Sequence, residues 1–384
     1  MEKRKKTKIV VAGFSIVVLI FGGVYLYNQS KNNTVEIARK TLHVFSSVLK
    51  LLPAEADLKK EVEAADKIVQ KLTAQDGQVR TYMILLQNNH ELRPGGGFLG
   101  QYAIVKVKDA QVLELFVEDA NIADQRITAT VTPPAPLQKY LDIKKWKLRD
   151  SNFSPDFPTN VEKAKYFYRL SGRASSFDGV VAVNTDVFNH VLKLTGPITV
   201  PGYSRTFDSE NGTLLLEELV EKNYLGEDVP AELKQNRKSI MKAMAPLIIE
   251  KLSGLNNIPR VSEMALEELR NKNIMLNFQD TELQAVAESV RWDGAVAQEW
   301  AGDYLMVVDA NIGAFKSDYY VKRRIEYNVD FTGQETLVTL YVYYNHTATR
   351  GDWRTRDYRS YTRVYAPEGS IFRDRELITY PIAS

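Results

Sequence analysis

The chain has 384 residues, 44% of them hydrophobic and 26% charged, which is enough for about two or three domains and a sizeable core. A net charge of +2 gives no overall basic field and speaks against a nucleic-acid partner. The absence of cysteine excludes disulfide frameworks and cysteine-based zinc or iron–sulfur sites.

The N-terminus carries the first signal. Lys3, Arg4, Lys5, Lys6 and Lys8 form a basic tail over residues 1–8, followed by the uncharged run Ile9 to Tyr27. At 1.5 Å per residue that run is about 28 Å long, close to a hydrocarbon core of about 30 Å. The basic cluster should stay cytoplasmic, which puts everything after Asn28 outside the cell membrane. A cleaved signal peptide is the competing reading, but no small-x-small site follows Tyr27, so an uncleaved single-pass anchor in the lipid bilayer is expected.

Helical spacing then recurs at Val35, Ala38, Leu42, Phe45, Val48 and Leu52, and again at Leu58, Val62, Ala65, Ile68, Val69 and Leu72, with Pro53 between the two sets. This predicts a helical hairpin over 34–74, read as packing or spacing with no chemistry. From 81 to 309 strands alternate with helices. Tyr82–Gln87 and Asp178–Asn184 read as buried strands, and Phe98–Lys108 with Gln111–Glu118 as a hairpin turning at Asp109-Ala110. Residues 127–136, with Pro133, Pro134 and Pro136, read as a loop. Helices are expected over 160–170 (capped by Thr159 or Asn160), 185–194, 211–223, 231–253, 261–272 and 281–290, with strands at 198–200, 274–278 and 304–309. The alternation predicts an α/β domain with a mixed sheet. Residues 318–384 turn all-β, rich in Tyr and Val, with three clear strands at 320–331, 335–345 and 358–365. A complete sandwich needs about seven strands. Either the chain is part of a longer one, or these strands join the α/β sheet.

Three stretches hold residues suited to chemistry. Glu91–Gly100, ELRPGGGFLG, sets Arg93 before Gly95, Gly96 and Gly97, between two strands. Backbone N–H groups of such a loop can close on an anion beside the Arg; a tight turn with a surface Arg is the plainer reading. Lys147–Asn160, KLRDSNFSPDFPTN, offers Arg149, Asp150, Asn152 and Asp156. Arg and Asp there can hold a phosphate and a metal, or else a local ion pair with Asx turns. Lys234, Arg237 and Lys238 lie at i, i+3 and i+4 on one helix face, either a phosphate clamp or a solvated stripe. The four histidines include no i, i+4 pair, and no GxSxG elbow is present.

The segments ELRPGGGFLGQYAIVKVKDAQV, RDSNFSPDFPTN, FDGVVAVNTDVFNHVLKLTGPITV and DANIGAFKSDYYVKRRIEYNV resemble the bacterial domain of unknown function, family 4012, over about Thr81 to Glu368. That resemblance implies a membrane-anchored envelope protein and brings no established activity. More loosely, the middle of the chain resembles the LytR-CpsA-Psr phosphotransferases, which move a glycan phosphate from a polyprenyl pyrophosphate to the cell wall. The Arg before the 98–118 hairpin, the unit Phe177–Val200, and KQNRKSIMKAMAPLIIEKL from Lys234 are similar to theirs. By position this implies pyrophosphate contacts at Arg93, Arg149, Arg237 and Lys238, and a metal ligand at Asp119. Where that family has Arg-x-Asp, this chain has Arg93-Pro94-Gly95, and where it has Arg-Asp, this chain has Glu118-Asp119.

Two functions follow as expectations. One is a transferase acting on polyprenyl-pyrophosphate-linked glycan. Arg93, Arg149, Asp119 and Asp150 are its catalytic set, and Asp119 with Asp150 hold Mg²⁺. Gly95, Gly96, Gly97, Asn152, Asp156, Lys234, Arg237 and Lys238 bind the ligand. The other is a non-catalytic module that binds cell-wall polymer. It is suggested by Arg350, Arg354, Arg356, Arg359 and Arg363 interleaved with Trp353, Tyr358 and Tyr361, where alternation puts Arg359, Tyr361 and Arg363 on one strand face. Convergence of Arg93, Arg149, Arg237 and a carboxylate on one pocket would favour the transferase. A hydrolase using Asp150 and Asp156 ranks last.

Overall fold

The computed structural model describes residues 42–43, 46–47, 49–50, 55–173, 176–219, 239–252, 258–313, 315–349, 351 and 354–377. No helix among them is long and apolar enough to cross a membrane. The tail at 1–8, the apolar run at 9–27, and Lys234, Arg237, Lys238, Arg350 and Trp353 lie outside the described residues.

Helix α1 (Ala56–Leu72) turns Val62, Ala65, Ile68 and Val69 inward, as its spacing requires. Leu42 and Leu49, from the preceding helical segment, are buried in the same core, and His43 Nδ1 lies 3.0 Å from Asp66 Oδ2. The domain is built on a five-stranded sheet in the order β3-β2-β1-β4-β7, with β1 Val79–Asn88, β2 Phe98–Lys108, β3 Gln111–Asp119, β4 Gly179–Asn184 and β7 Ile274–Phe278. Only β1 and β4 run parallel; the other neighbours are antiparallel, which makes the sheet mixed. All six residues of β4 are buried, so a central strand covered on both faces reads as an unbroken apolar run. The β2–β3 turn is at Asp109-Ala110, both at positive φ, as a two-residue hairpin on right-twisted strands demands.

Alternate residues feed two cores, because strand side chains change face at each step. Tyr82, Ile84, Val105, Val181 and Leu276 meet α1, α8 (Ile258–Arg270) and α9 (Thr281–Ser289) on one side. Met83, Leu85, Tyr102, Val180 and Ala182 meet α2 (Ala120–Arg126) and α4 (Phe157–Leu170) on the other. Phe157 and Phe167 of α4 are fully buried there, each worth about 1.5–3 kcal/mol over exposure. A satellite core joins α5 (Asp186–Thr195), α6 (Gly212–Glu218) and α7 (Ser239–Leu252) with the short pair β5 (Ile198–Thr199) and β6 (Thr206–Phe207).

The C-terminal region is β-rich. β8 (Met306–Asn311) pairs with β11 (Ser360–Tyr365), and β9 (Val321–Asp330) pairs with β10 (Leu337–His346). Neither pair joins the five-stranded sheet. Asp309 of β8 docks the hairpin: its carboxylate accepts from Arg323 Nη1 (2.6 Å), Tyr344 Oη (2.6 Å) and Thr362 Oγ1 (2.7 Å). The strand expected at 304–309 thus belongs with the C-terminal strands. Two short helices lie where no helix was expected: α2 follows the strand expected at 111–118, and α3 (Ala135–Leu141) starts in the last two residues of the loop expected at 127–136 and runs past it. Helix α4 begins three residues earlier than expected, because Asp156 rather than Thr159 or Asn160 caps it.

Candidate functional site

The glycine loop is packed by protein. The N–H of Gly95 donates to Asn152 O (3.0 Å) and that of Gly96 to Arg93 O (3.0 Å). Asn152, fully buried, donates from Nδ2 to Gly97 O (2.6 Å). A Cβ at Gly95 would strike the Asn160 side chain and Asn152 O, one at Gly96 the side chains of Gln87 and Asn184, and one at Gly97 the backbone of Asn88 and Asn89. The glycines answer to close packing of the chain on itself, and Gly96, at φ +128°, also to its backbone.

Arg93 is buried and its guanidinium is fully committed. Nε and Nη2 donate to Asp150 Oδ1 (3.4 Å each), Nη2 also to Glu91 Oε1 (3.0 Å), and Nη1 to the carbonyls of Leu92 (3.3 Å) and Asn311 (3.2 Å). Those contacts use all its N–H groups. Burial pushes the Asp150 carboxyl up against the pull of Arg93. Beside them, Asp318 accepts from Leu92 N (3.0 Å), Asn311 Nδ2 (2.6 Å) and Tyr358 Oη (3.0 Å), and Asn311 N donates back to Leu92 O (2.9 Å). Burial raises the Asp318 carboxyl too. The cluster pins the loop after β1 to the C-terminal strands.

Of the expected site residues, Arg93, Asp150, Asn152 and Gly95–Gly97 come together as this pin. The others go elsewhere. Asp119 accepts from Asn121 N (2.9 Å) and caps α2. Arg149, about two-fifths exposed, donates to Asn121 Oδ1 (2.7 Å) and lies 3.1 Å from Asp124 Oδ2, close but not aligned as a hydrogen bond. Burial lifts the Asp124 carboxyl to about 6 in spite of Arg149. Asp156 accepts from Thr159 N (3.0 Å) and Val296 N (3.0 Å). No three His, Asp or Glu side chains among the described residues gather around a metal position.

A different hollow, of about 310 Å³, opens between the 146–163 stretch and β11. Trp146, Phe153 and Tyr361 give it aromatic walls, with Pro134 and Pro136 beside them. Lys163 Nζ stands 4.6 Å from the Trp146 ring centre, and the Arg363 guanidinium is 5.4 Å from that of Phe153 while Nη2 donates to Phe153 O (3.1 Å). Arg363 Nε and Ser151 Oγ are sealed without a hydrogen-bond partner. No Asp, Glu or His lines the hollow; its charged side chains are Lys163 and Arg363. Of the interleaved Arg and aromatic residues among the described ones, only Tyr361 and Arg363 reach it. Tyr358 binds Asp318, and Arg356 lies over Phe315. Lys163, Trp146 and the two prolines were missed; Lys163 is signalled by its place one helical turn after Asn160.

Residues 76–224 match the family model described as Protein of unknown function (DUF4012), a narrower stretch than the 81–368 of the sequence resemblance. No curated protein matches the chain. Among solved structures, the Lin1025 protein from Listeria innocua is 12% identical, with 69% of this chain and 92% of that one covered and a TM-score of 0.31. The transcriptional regulator yvhJ from Bacillus subtilis is 13% identical, with 60% and 86% covered and a TM-score of 0.29. TM-scores this low do not establish a shared fold.

Proposed function

We propose that this chain is a membrane-anchored, extracytoplasmic module of the bacterial cell envelope that binds an anionic wall glycan without transforming it. The observation that carries the reading is the aromatic hollow with Lys163 and Arg363 and no carboxylate on its walls. Aromatic faces suit the C–H faces of sugar rings. The Arg363 guanidinium and the Lys163 ammonium suit a phosphate or carboxylate on the polymer. The anchor rests on the basic tail and the apolar run of the sequence.

The transferase reading lacks an assembled site among the described residues. Arg93 has no N–H left for a pyrophosphate, the triple glycine is filled by Asn, Gln and backbone atoms, and Asp119 caps α2 while Asp150 holds Arg93.

The test is retention of the full-length chain, in nanodiscs, on purified anionic wall polymer at low salt. Lys163→Ala with Arg363→Ala should weaken retention at least about tenfold, and salt should weaken the wild type in the same direction. Equal retention of the double variant would remove the proposal.

A further inference from the structure

No third strand among the described residues pairs with the β9–β10 hairpin. A two-stranded hairpin is marginal by itself. One face of it is docked, through Arg323 and Tyr344 on Asp309. Its two edges differ in chemistry. β9 carries Lys322, Arg323, Arg324, Glu326 and Asp330, the kind of charge that guards an edge against further pairing. β10 has no charged residue, proline or glycine from Leu337 to Asn345, and its Leu337, Val338, Tyr341 and Tyr343 are exposed. The five-stranded sheet protects its own edges. β3 carries Glu114, Glu118 and Asp119, and on β7 Leu276 N donates to Trp292 O (2.9 Å) from the loop beside it.

The pattern of β10 fits a second β10. Leu337–Asn345 reads LVTLYVYYN, with Tyr341 at its midpoint. A second copy running antiparallel about that midpoint sets Tyr341 opposite Tyr341, Leu340 opposite Val342, Thr339 opposite Tyr343, Val338 opposite Tyr344 and Leu337 opposite Asn345. No charge meets a like charge. Opposite residues differ by an even number, so every side chain keeps its face. Val338, Leu340, Val342 and Tyr344 of both copies share the docked face, and Thr339, Tyr341 and Tyr343 the outer one. On the outer face Tyr341 and Tyr343 already stack, with ring centres 6.2 Å apart. The charges beside them belong to β9, away from the free edge: the Arg324 guanidinium is 4.1 Å from the centre of the Tyr343 ring, and Tyr343 Oη donates to Glu326 Oε2 (3.0 Å). Two copies would join these rings into one cross-strand aromatic cluster.

We propose that β10 is a self-pairing edge: two copies of this chain join through antiparallel β10 strands into one sheet, in the order β9-β10-β10-β9. The contact is isologous, so it closes at a dimer. The charged β9 strands then form both outer edges and stop the sheet from growing. The dimer is independent of the glycan hollow and stands or falls separately.

The chain has no cysteine, so each thiol introduced is the only one. Purified full-length Tyr341→Cys, in detergent micelles, is oxidised with copper phenanthroline and run on a non-reducing gel. It should form a covalent dimer, because opposite Cα atoms of an antiparallel pair lie about 4.5–5.5 Å apart, within disulfide reach. Asn328→Cys, exposed on β9, should give at least about tenfold less, since two copies of it would be at least three strand spacings, about 14 Å, apart. Thr339→Cys mixed with Tyr343→Cys should give the heterodimer in preference to either homodimer, and reads the same register should Tyr341→Cys fail to fold. In the Tyr341→Cys chain, Thr339→Glu with Tyr343→Glu should cut crosslinking at least about tenfold, and Thr339→Lys with Tyr343→Glu should restore it. The proposal is overturned by the absence of both dimers, by an equal yield from Asn328→Cys, or by equal yields from the two charge pairs.

Discussion

Arg93 shows how one side chain can be misread from its neighbours in sequence. An Arg before three glycines has the look of an anion cradle, yet burial and five N–H donations to Glu91, Asp150, Leu92 and Asn311 make it a pin. Arg93→Met leaves two acids buried beside an apolar chain and should cost about 3–5 kcal/mol in urea unfolding. Arg93→Lys should recover only part of that, since an ammonium cannot reproduce the planar fork. Asp124 makes a pH prediction. Its carboxyl is lifted from 3.8 to about 6 by burial, so the folded state holds that proton more tightly than the unfolded chain. The stabilisation is complete below about pH 3.8 and is lost as pH rises through about 6. Asp124→Asn should flatten unfolding free energy across that window; an unchanged slope would assign it to other groups. What the sequence told at this scale was that 91–97 and 147–160 are special. It could not tell whether the space beside a glycine is filled by ligand or by Asn160 and Gln87, because those neighbours are distant in the chain.

Elements were the more legible level. Strands β1, β2, β3, β4 and β7, and helices α1, α5 and α9, lie close to where periodicity put them, because each buries a regular face. Helix α2 (ANIADQR) escaped, being too short to repeat a pattern and capped by an Asp that looked like a metal ligand. β8 was placed with the wrong neighbours, since alternation identifies a strand but not its partner. Two turns test the account of the elements. Gly95→Ala, forced against Asn160 and Asn152 O, should lose about 1–3 kcal/mol; a glycine kept only for a ligand would tolerate the methyl with no loss. Ala110→Gly, at φ +63° in the β2–β3 turn, should gain about 0.5–1 kcal/mol by removing a left-handed Cβ.

At the scale of the molecule, an α/β domain with a five-stranded mixed sheet is joined to a β-rich C-terminal region through Arg93, Asn311 and Asp318. The two stretches that the sequence set apart for separate functions, 147–160 and 358–365, meet across this junction and wall the aromatic hollow. Composition and periodicity could show each stretch as dense in cations and rings, but not that they face one another. The most direct test maps where a glycan sits. Amide hydrogen exchange of the full-length chain in nanodiscs, with and without purified anionic wall polymer, reports protection segment by segment. Slowed exchange at 146–163 and 360–365, with 91–97 unchanged, is the predicted result. Protection confined to 91–97, with the walls of the hollow unaffected, would contradict the account.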